Sequence, residues 1–116
     1  MIRRKEECAI EYREHMRDGD GTVKLTNLIS GPKDLCDKGR LFSVIRLEPG
    51  CSIGYHIHEH DSELFYIVQG KGVYSDNGHE ADVYPGDVMI CPPGQGHSMA
   101  NRSDEPLEFV AVIVYE

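Results

Sequence analysis

Short runs of strand-forming residues, separated by glycine, proline and asparagine, fill this chain from Thr22 to its end. Runs of this length with turn signals about every ten residues are typical of an all-β sandwich or barrel. We therefore predict one all-β domain over residues 22–116, with no helix longer than a few turns. The predicted strands are Thr22–Ile29, Leu41–Leu47, Ser52–His58, Leu64–Gln69, Gly72–Ser75, Glu80–Tyr84, Val88–Cys91, His97–Asn101 and Leu107–Tyr115.

The first 21 residues have a different character. They are dense in charge and hold too few apolar residues for a strong amphipathic stripe. We predict a short helix or a loose N-terminal arm over residues 1–21, which ends in the turn-forming sequence Arg17–Gly21.

Two local patterns within the predicted domain are informative. Asn77-Gly78 between two short strands favours a type I′ hairpin turn, because both central residues need a positive φ. The run Phe109–Tyr115 is apolar on both faces, as in strands that are covered on both sides. Its outer face is expected to meet another sheet, the N-terminal arm or a second copy of the chain. We predict a homodimer, because a domain this small also buries a modest core.

Composition excludes several classes of function. Twelve basic and 20 acidic side chains give a net charge of −8, which disfavours nucleic acid as a partner. No apolar run approaches the length of about 20 residues that a membrane span needs. The basic N-terminus lacks the apolar segment of a secretory signal, so we expect a cytoplasmic protein. The four cysteines form no CxxC pair, and we expect small buried thiols rather than disulfides.

The segment His56-Ile57-His58-Glu59-His60 carries the strongest chemical signal. Side chains alternate along a strand, so His56 and His58 point to the same face and can bind one metal ion. Glu63 opens the next run, where a turn would return it to the two imidazoles. Two histidines and a carboxylate form the facial ligand set of Fe(II) and related metals. His97, on a later strand, can supply a fourth ligand.

The other histidines carry less weight. His60 has the right parity for a ligand, but it is expected to sit in the turn. His15 and His79 are interpreted as solvated surface residues.

Two spacing patterns around these ligands resemble the motifs of the cupin family. The first is Gly-x5-His-x-His-x4-Glu-x6-Gly, and the second is Gly-x5-Pro-x-Gly-x2-His-x3-Asn. The residues that fit are Gly50, His56, His58, Glu63 and Gly70 in the first motif, and Gly86, Pro92, Gly94, His97 and Asn101 in the second.

The resemblance implies a jelly roll, or double-stranded β-helix, with a short N-terminal arm. It also implies one divalent metal ion inside the barrel mouth, bound by His56, His58, Glu63 and His97. Mixed nitrogen and oxygen ligands are compatible with Mn, Fe, Co, Ni, Cu or Zn. Four protein ligands leave one or two open positions, which suit a small carboxylate such as oxalate or a 2-oxo acid.

Strand parity predicts the wall of the binding pocket. If Glu63 points inward, then Phe65, Ile67 and Gln69 do too, and Met99 follows His97 in the same way. The more apolar face of Leu41–Leu47 includes Ser43 and places Arg46 outside. We predict Phe65, Met99 and Ser43 as candidate substrate contacts.

The pattern is similar to the small oxalate-decarboxylase-like cupins, although no lid that would supply a proton is recognisable. The favoured hypothesis is a metal-dependent enzyme, of decarboxylase or dioxygenase type, that acts on a small carboxylate. The alternatives are a non-catalytic cupin that binds or senses a small ligand and a metal-dependent sugar isomerase.

Overall fold

The computed structural model describes residues 1–116 and consists mainly of ten β-strands. Three short 3-10 turns, Lys5–Glu7, Met16–Asp18 and Pro32–Leu35, are the only helical segments. The strands are β1 (Ala9–Glu14), β2 (Thr22–Asn27), β3 (Gly39–Leu47), β4 (Ser52–Ile57), β5 (Asp61–Gln69), β6 (Gly72–Asp76), β7 (His79–Val83), β8 (Val88–Cys91), β9 (Gly96–Ala100) and β10 (Leu107–Tyr115).

The strands form two antiparallel sheets. The larger sheet has the order β1-β2-β3-β10-β5-β8, and the smaller has the order β4-β9-β6-β7. Several neighbours in the sheets are distant in sequence, as when β10 lies between β3 and β5. This confirms the predicted double-stranded β-helix.

All nine predicted strands are present, as β2 to β10. The largest shift is in β5, which begins at Asp61 rather than Leu64. The β6–β7 hairpin turns at Asn77 and Gly78, whose φ values of 53° and 93° confirm the positive φ expected of both residues.

The prediction of a helix or loose arm for the N-terminus was wrong. Ala9–Glu14 forms strand β1 and pairs with Thr22–Asn27 along its whole length. Five of its six side chains are exposed, because β1 is an edge strand with little core beneath it. Such a strand needs no alternation of apolar residues, so its sequence carries no strand pattern. The division predicted after residue 21 separates two strands that are hydrogen-bonded to each other.

The hydrophobic core lies between the two sheets and draws on most of the strands. Alternate residues of β10 contribute Leu107, Phe109 and Ala111, each fully buried. The outer face of β10 is only partly covered, and Val114 is 38% exposed. Neither the smaller sheet nor β1 lies over it, since β1 is at the far edge of its own sheet.

The cysteine thiols are all free and differ in exposure. Cys91 is buried, Cys8 and Cys51 are half-buried, and Cys36 is exposed. The expectation of buried thiols therefore fails for Cys36, which lies in the loop before β3. No helix in the structure is long and apolar enough to span a membrane.

Candidate metal centre

Strand pairing brings the predicted metal ligands together at one end of the barrel. His56 on β4 is directly opposite His97 on β9 in the register of the smaller sheet. His58 follows the end of β4, and Glu63 reaches the same point from β5 in the facing sheet. The four side chains place one ligating atom each within 4.8 Å of one another.

The distances between these atoms indicate the coordination geometry. The three Nε2 atoms of His56, His58 and His97 are separated by 3.1–3.2 Å. Ligands at about 2.1 Å from a metal are about 3.0 Å apart in neighbouring octahedral positions and about 3.4 Å apart in a tetrahedron. The imidazoles therefore match one face of an octahedron.

Glu63 completes the ligand set. Its Oε1 is 3.0 Å from Nε2 of both His58 and His97, and 3.8 Å from that of His56. It is thus a neighbour of two imidazoles and lies toward the side opposite the third. An octahedral ion held by these four residues would leave two neighbouring positions for a ligand with two oxygens.

The other ring nitrogen of each histidine has its own partner. Nδ1 of His56 donates to the carbonyl of Gly54 over 2.8 Å, and Nδ1 of His58 donates to Asp61 Oδ1 over 2.7 Å. His97 Nδ1 is 2.8 Å from the hydroxyl of Tyr74. Partners of this kind fix the tautomer and the orientation of metal-binding histidines.

This arrangement fits a cation. In the neutral rings of His56 and His58 the proton is on Nδ1, so two Nε2 lone pairs face each other at 3.2 Å. A positive charge between them removes that conflict. Three imidazoles and a carboxylate are the donors that divalent first-row metals prefer.

The carboxylate is strongly coupled to the imidazoles. Burial opposes ionisation of Glu63, but the three imidazoles around its carboxylate outweigh burial and hold the pKa of Glu63 well below the usual range. The hydrogen bond to Glu63 raises the pKa of His58, whereas burial lowers that of His97. Burial also raises the pKa of Tyr74, which keeps the hydroxyl protonated.

A small cavity of about 40 Å³ adjoins the ligands. Since one water needs about 10–15 Å³ by this measure, the space holds a ligand of only a few atoms. Arg13, Arg17 and Arg40 supply positive charge to its wall. The remaining lining residues are Met16, Leu41, Ile45, Ile53 and Ile113, beside the ligands His56, His58 and Glu63.

The candidate substrate contacts lie elsewhere. Phe65 is buried with its ring stacked on that of His97, at 5.0 Å between centroids and 17° between planes. Met99 is fully buried in the core, and neither residue is among those that line the cavity. Ser43 is also buried and donates to Asn27 Oδ1 over 2.7 Å. Ligand contact by these three residues stays a prediction, without support from the cavity wall.

The parity predictions for Ile67 and Arg46 are confirmed, and the one for Gln69 is wrong. Ile67 is buried, but Gln69 is exposed because it ends β5 beyond the core. Arg46 lies outside and forms ion pairs with Glu48 and Glu108.

The remaining histidines are outside the ligand cluster. His60 occupies the turn before β5, is 92% exposed and is 3.6 Å from Glu116. His15 and His79 are exposed, as expected.

Sequence reasoning missed the residues around the centre. Asp61 follows His58 by three residues, and the short turn before β5 brings the two side chains within hydrogen-bonding distance. Tyr74 could have been found by parity, since it lies opposite Met99 on β9. Nothing in the sequence marks Arg13 and Arg17 as site residues, because the whole N-terminus is dense in charge.

The comparison with known families agrees with this site. The model of the cupin domain matches residues 43–113, which is more than half of the chain and includes all four ligands. The chain is a member of the cupin family. The resemblance seen in its two spacing motifs is thereby confirmed.

Three of the similar proteins have names that refer to oxalate. An oxalate-binding protein of Thermotoga maritima is 40% identical over 114 residues, which cover 98% of this cupin and 93% of the relative. The crystal structure of a predicted oxalate decarboxylase from Thermotoga maritima superposes with a TM-score of 0.94 at 39% identity, over 100% of both chains. An oxalate decarboxylase of Bacillus subtilis is 32% identical over 75 residues, which cover 60% of this cupin and 20% of that enzyme.

Proposed function

We propose that this cupin binds a small carboxylate of the oxalate class at one divalent metal ion. The observation that carries the proposal is a small cavity beside the ligand cluster, lined by His56, His58 and Glu63 on one side and by three arginines on its wall. The similarity to an oxalate-binding protein along nearly the whole chain supports the same ligand class.

Different residues would bind the metal ion and the small carboxylate. His56, His58, Glu63 and His97 would hold the ion, which acts as a Lewis acid toward the ligand oxygens when bound. The arginines attract the anion, and guanidinium groups match carboxylates in shape and charge. The apolar side chains of Leu41, Ile45 and Ile53 lower the local dielectric constant, which strengthens these charge interactions.

Binding without turnover is the function that the geometry supports best. Decarboxylation needs a group that delivers a proton to the developing carbanion. Glu63 is the only acidic residue that lines the cavity, and it belongs to the metal ligands.

A metal-dependent decarboxylase or dioxygenase is the second candidate, favoured by the two neighbouring open positions at the centre. A sugar isomerase fits less well because the cavity is small.

Metal analysis and calorimetry test the proposal together. Protein purified without an affinity tag or chelator should contain about one ion of Mn, Fe, Co, Ni, Cu or Zn per chain, and His58→Ala should lose it. The loaded protein should bind oxalate, while the metal-free protein should bind it far more weakly. Oxalate turnover with Mn, or oxygen uptake with Fe, would favour the enzyme. Failure to bind metal after reconstitution would overturn the proposal.

We also propose that two copies pair through the outer face of the larger sheet. Eight apolar side chains from four neighbouring strands form a two-row patch there, because β3, β10, β5 and β8 pair in register. The rows are Phe42, Val112, Leu64 and Ile90, and next to them Val44, Val110, Tyr66 and Val88. The exposed fractions of Ile90 and Val88 reach 57% and 58%.

A second copy is the partner that fits this patch. The whole chain carries a charge of −8, so two copies repel each other over most of their surfaces. The patch holds no charged residue, and at its edge Arg46 is already paired with Glu108. A patch of this extent on a small protein is typical of an interaction site. The cytoplasmic location and the exclusion of nucleic acid and membrane partners stay predictions from the sequence.

A further inference from the structure

The loop between β1 and β2 has an unusual backbone. His15, Arg17 and Asp18 all have positive φ, at 49°, 54° and 63°. Left-handed conformations are strained for residues with a Cβ atom, and such strain persists only where the surrounding structure enforces it. Strained residues of this kind cluster at binding and catalytic sites, which makes the loop a candidate functional element.

Close packing against β4 enforces the loop conformation. A Cβ atom on Gly19 would lie 2.8 Å from the backbone nitrogen of Gly54, and one on Gly54 would collide with the carbonyl of Arg17. Backbone hydrogen bonds fasten the same contact, since Ser52 N donates to Asp20 O and Asp20 N donates to Ser52 Oγ, each over 2.8 Å. The absence of both side chains therefore lets the loop lie directly on the strand that carries His56.

The loop delivers Arg17 to the cavity. Arg17 lines the cavity beside the metal ligands, and it forms no ion pair or side-chain hydrogen bond. Each of the other two arginines of the wall is already paired with a carboxylate, which weakens its attraction for an anion. Arg13 is 3.1 Å from Glu11, and Arg40 is 3.1 Å from Asp61.

The charges that remain are those of the metal and of Arg17. Glu63 cancels one of the two charges of a divalent ion, so one positive charge stays on the ion. Arg17 adds a second. A ligand that balances this site carries two negative charges on a molecule small enough for a cavity of about 40 Å³.

We propose that Arg17 selects dianions by binding the outward-facing carboxylate oxygens of a short dicarboxylate whose other oxygens reach the metal. This inference rests on the proposed function, since it needs the metal and the ligand in the same cavity. A monoanion with one carboxylate can fill the metal positions, but it leaves Arg17 without a full partner. The loop would thus set ligand preference, and the metal ligands would set affinity for the ion.

Isothermal titration of the Mn²⁺-loaded protein with oxalate and with glycolate tests this assignment. Both probes offer two oxygens to a metal, but glycolate carries a single negative charge. In Arg17→Gln we expect the Kd for oxalate to rise at least tenfold, with the Kd for glycolate and for Mn²⁺ changed less than threefold. The Kd of Arg17→Lys for oxalate should lie between those of the wild type and Arg17→Gln, because lysine keeps the charge but cannot make two parallel hydrogen bonds to a carboxylate.

Arg102→Gln is the matched control. This arginine is exposed and pairs with Glu80 in the smaller sheet, so its loss should change neither ligand. Equal weakening of oxalate and glycolate in Arg17→Gln would overturn the assignment, as would an unchanged Kd for oxalate. Wild-type protein that binds Mn²⁺ but neither anion would overturn the proposed function as well. If Arg17→Gln binds oxalate with the Kd of the wild type, only the role of Arg17 is overturned and the proposed function stands.

Discussion

Asp61 holds His58 in place through a hydrogen bond of 2.7 Å between Oδ1 and the ring Nδ1. Its other oxygen accepts from Nε of Arg40 over 3.1 Å, so the aspartate links a candidate metal ligand to the cavity wall. His58 is 2% exposed and cannot find water as a substitute partner. The basicity of His58 therefore depends on Asp61, which is not itself one of the four candidate metal ligands.

The first prediction is that Asp61→Asn weakens metal binding about tenfold or more. The amide still accepts a hydrogen bond from Nδ1, but it carries no charge and makes Nε2 a weaker donor to the metal. Loss of such outer partners typically costs 10–100-fold in affinity. Competition with a chelator measures the change. Asp104→Asn, at an exposed position in the loop before β10, is the control. An unchanged Kd for the metal would show that Asp61 only shapes the turn.

The second prediction concerns stability. A metal that binds only the folded chain, at 100 times its Kd, adds about 2.7 kcal/mol to the free energy of unfolding. For a domain of this size that corresponds to a rise in Tm of about 10 °C. Differential scanning calorimetry with and without metal should show the rise in the wild type and its loss in His97→Ala. The same rise in both proteins would place the ion elsewhere.

The strands and the cluster of candidate metal ligands were predictable because most of their signals are local. Alternation along β4 places His56 and His58 on one side, and turn residues mark the end of nearly every strand. Register across the barrel then adds His97, which no local pattern locates but the two family motifs do.

The rest of the site depends on contacts between distant segments. No residue near Arg17 in the sequence indicates that its loop packs against Gly54. That glycine lies 37 residues later, and the close contact is possible only because it has no side chain. Strand β1 was missed for a related reason. It is hydrogen-bonded to β2 along one edge, whereas most of its side chains face solvent and leave no pattern in the sequence.

The third prediction tests that loop contact. Gly19→Ala places a Cβ against the carbonyl of Ser52, so the loop must move away from β4. We expect the Kd for oxalate to rise about tenfold. The Kd for metal should stay nearly unchanged, because none of the four candidate metal ligands is in this loop. Titration calorimetry measures both. Gly31→Ala is the control, since a Cβ there meets nothing within 4 Å. An equal loss of metal affinity would show that the loop supports the metal centre itself.

The fourth prediction separates the thiols by reactivity. Burial raises the pKa of Cys91 to about 11, so little reactive thiolate exists at neutral pH. Cys36 is exposed and should be the first to react with iodoacetamide. Mass spectrometry of partly alkylated native protein reports the order. Modification of Cys91 before Cys36 would contradict the packing around β8.

The last prediction concerns the apolar patch on the larger sheet. Sedimentation should give a mass about twice the 13.1 kDa of one chain. Val110→Lys places a charge in the middle of the patch, where face-to-face pairing would bury it without a partner. We expect this variant to sediment as a monomer with its metal affinity intact. Ile57→Lys is the control, because Ile57 is 55% exposed on the smaller sheet and lies outside the patch. A wild-type monomer at micromolar concentration would exclude the dimer, and a dimer of Val110→Lys would move the interface to another face.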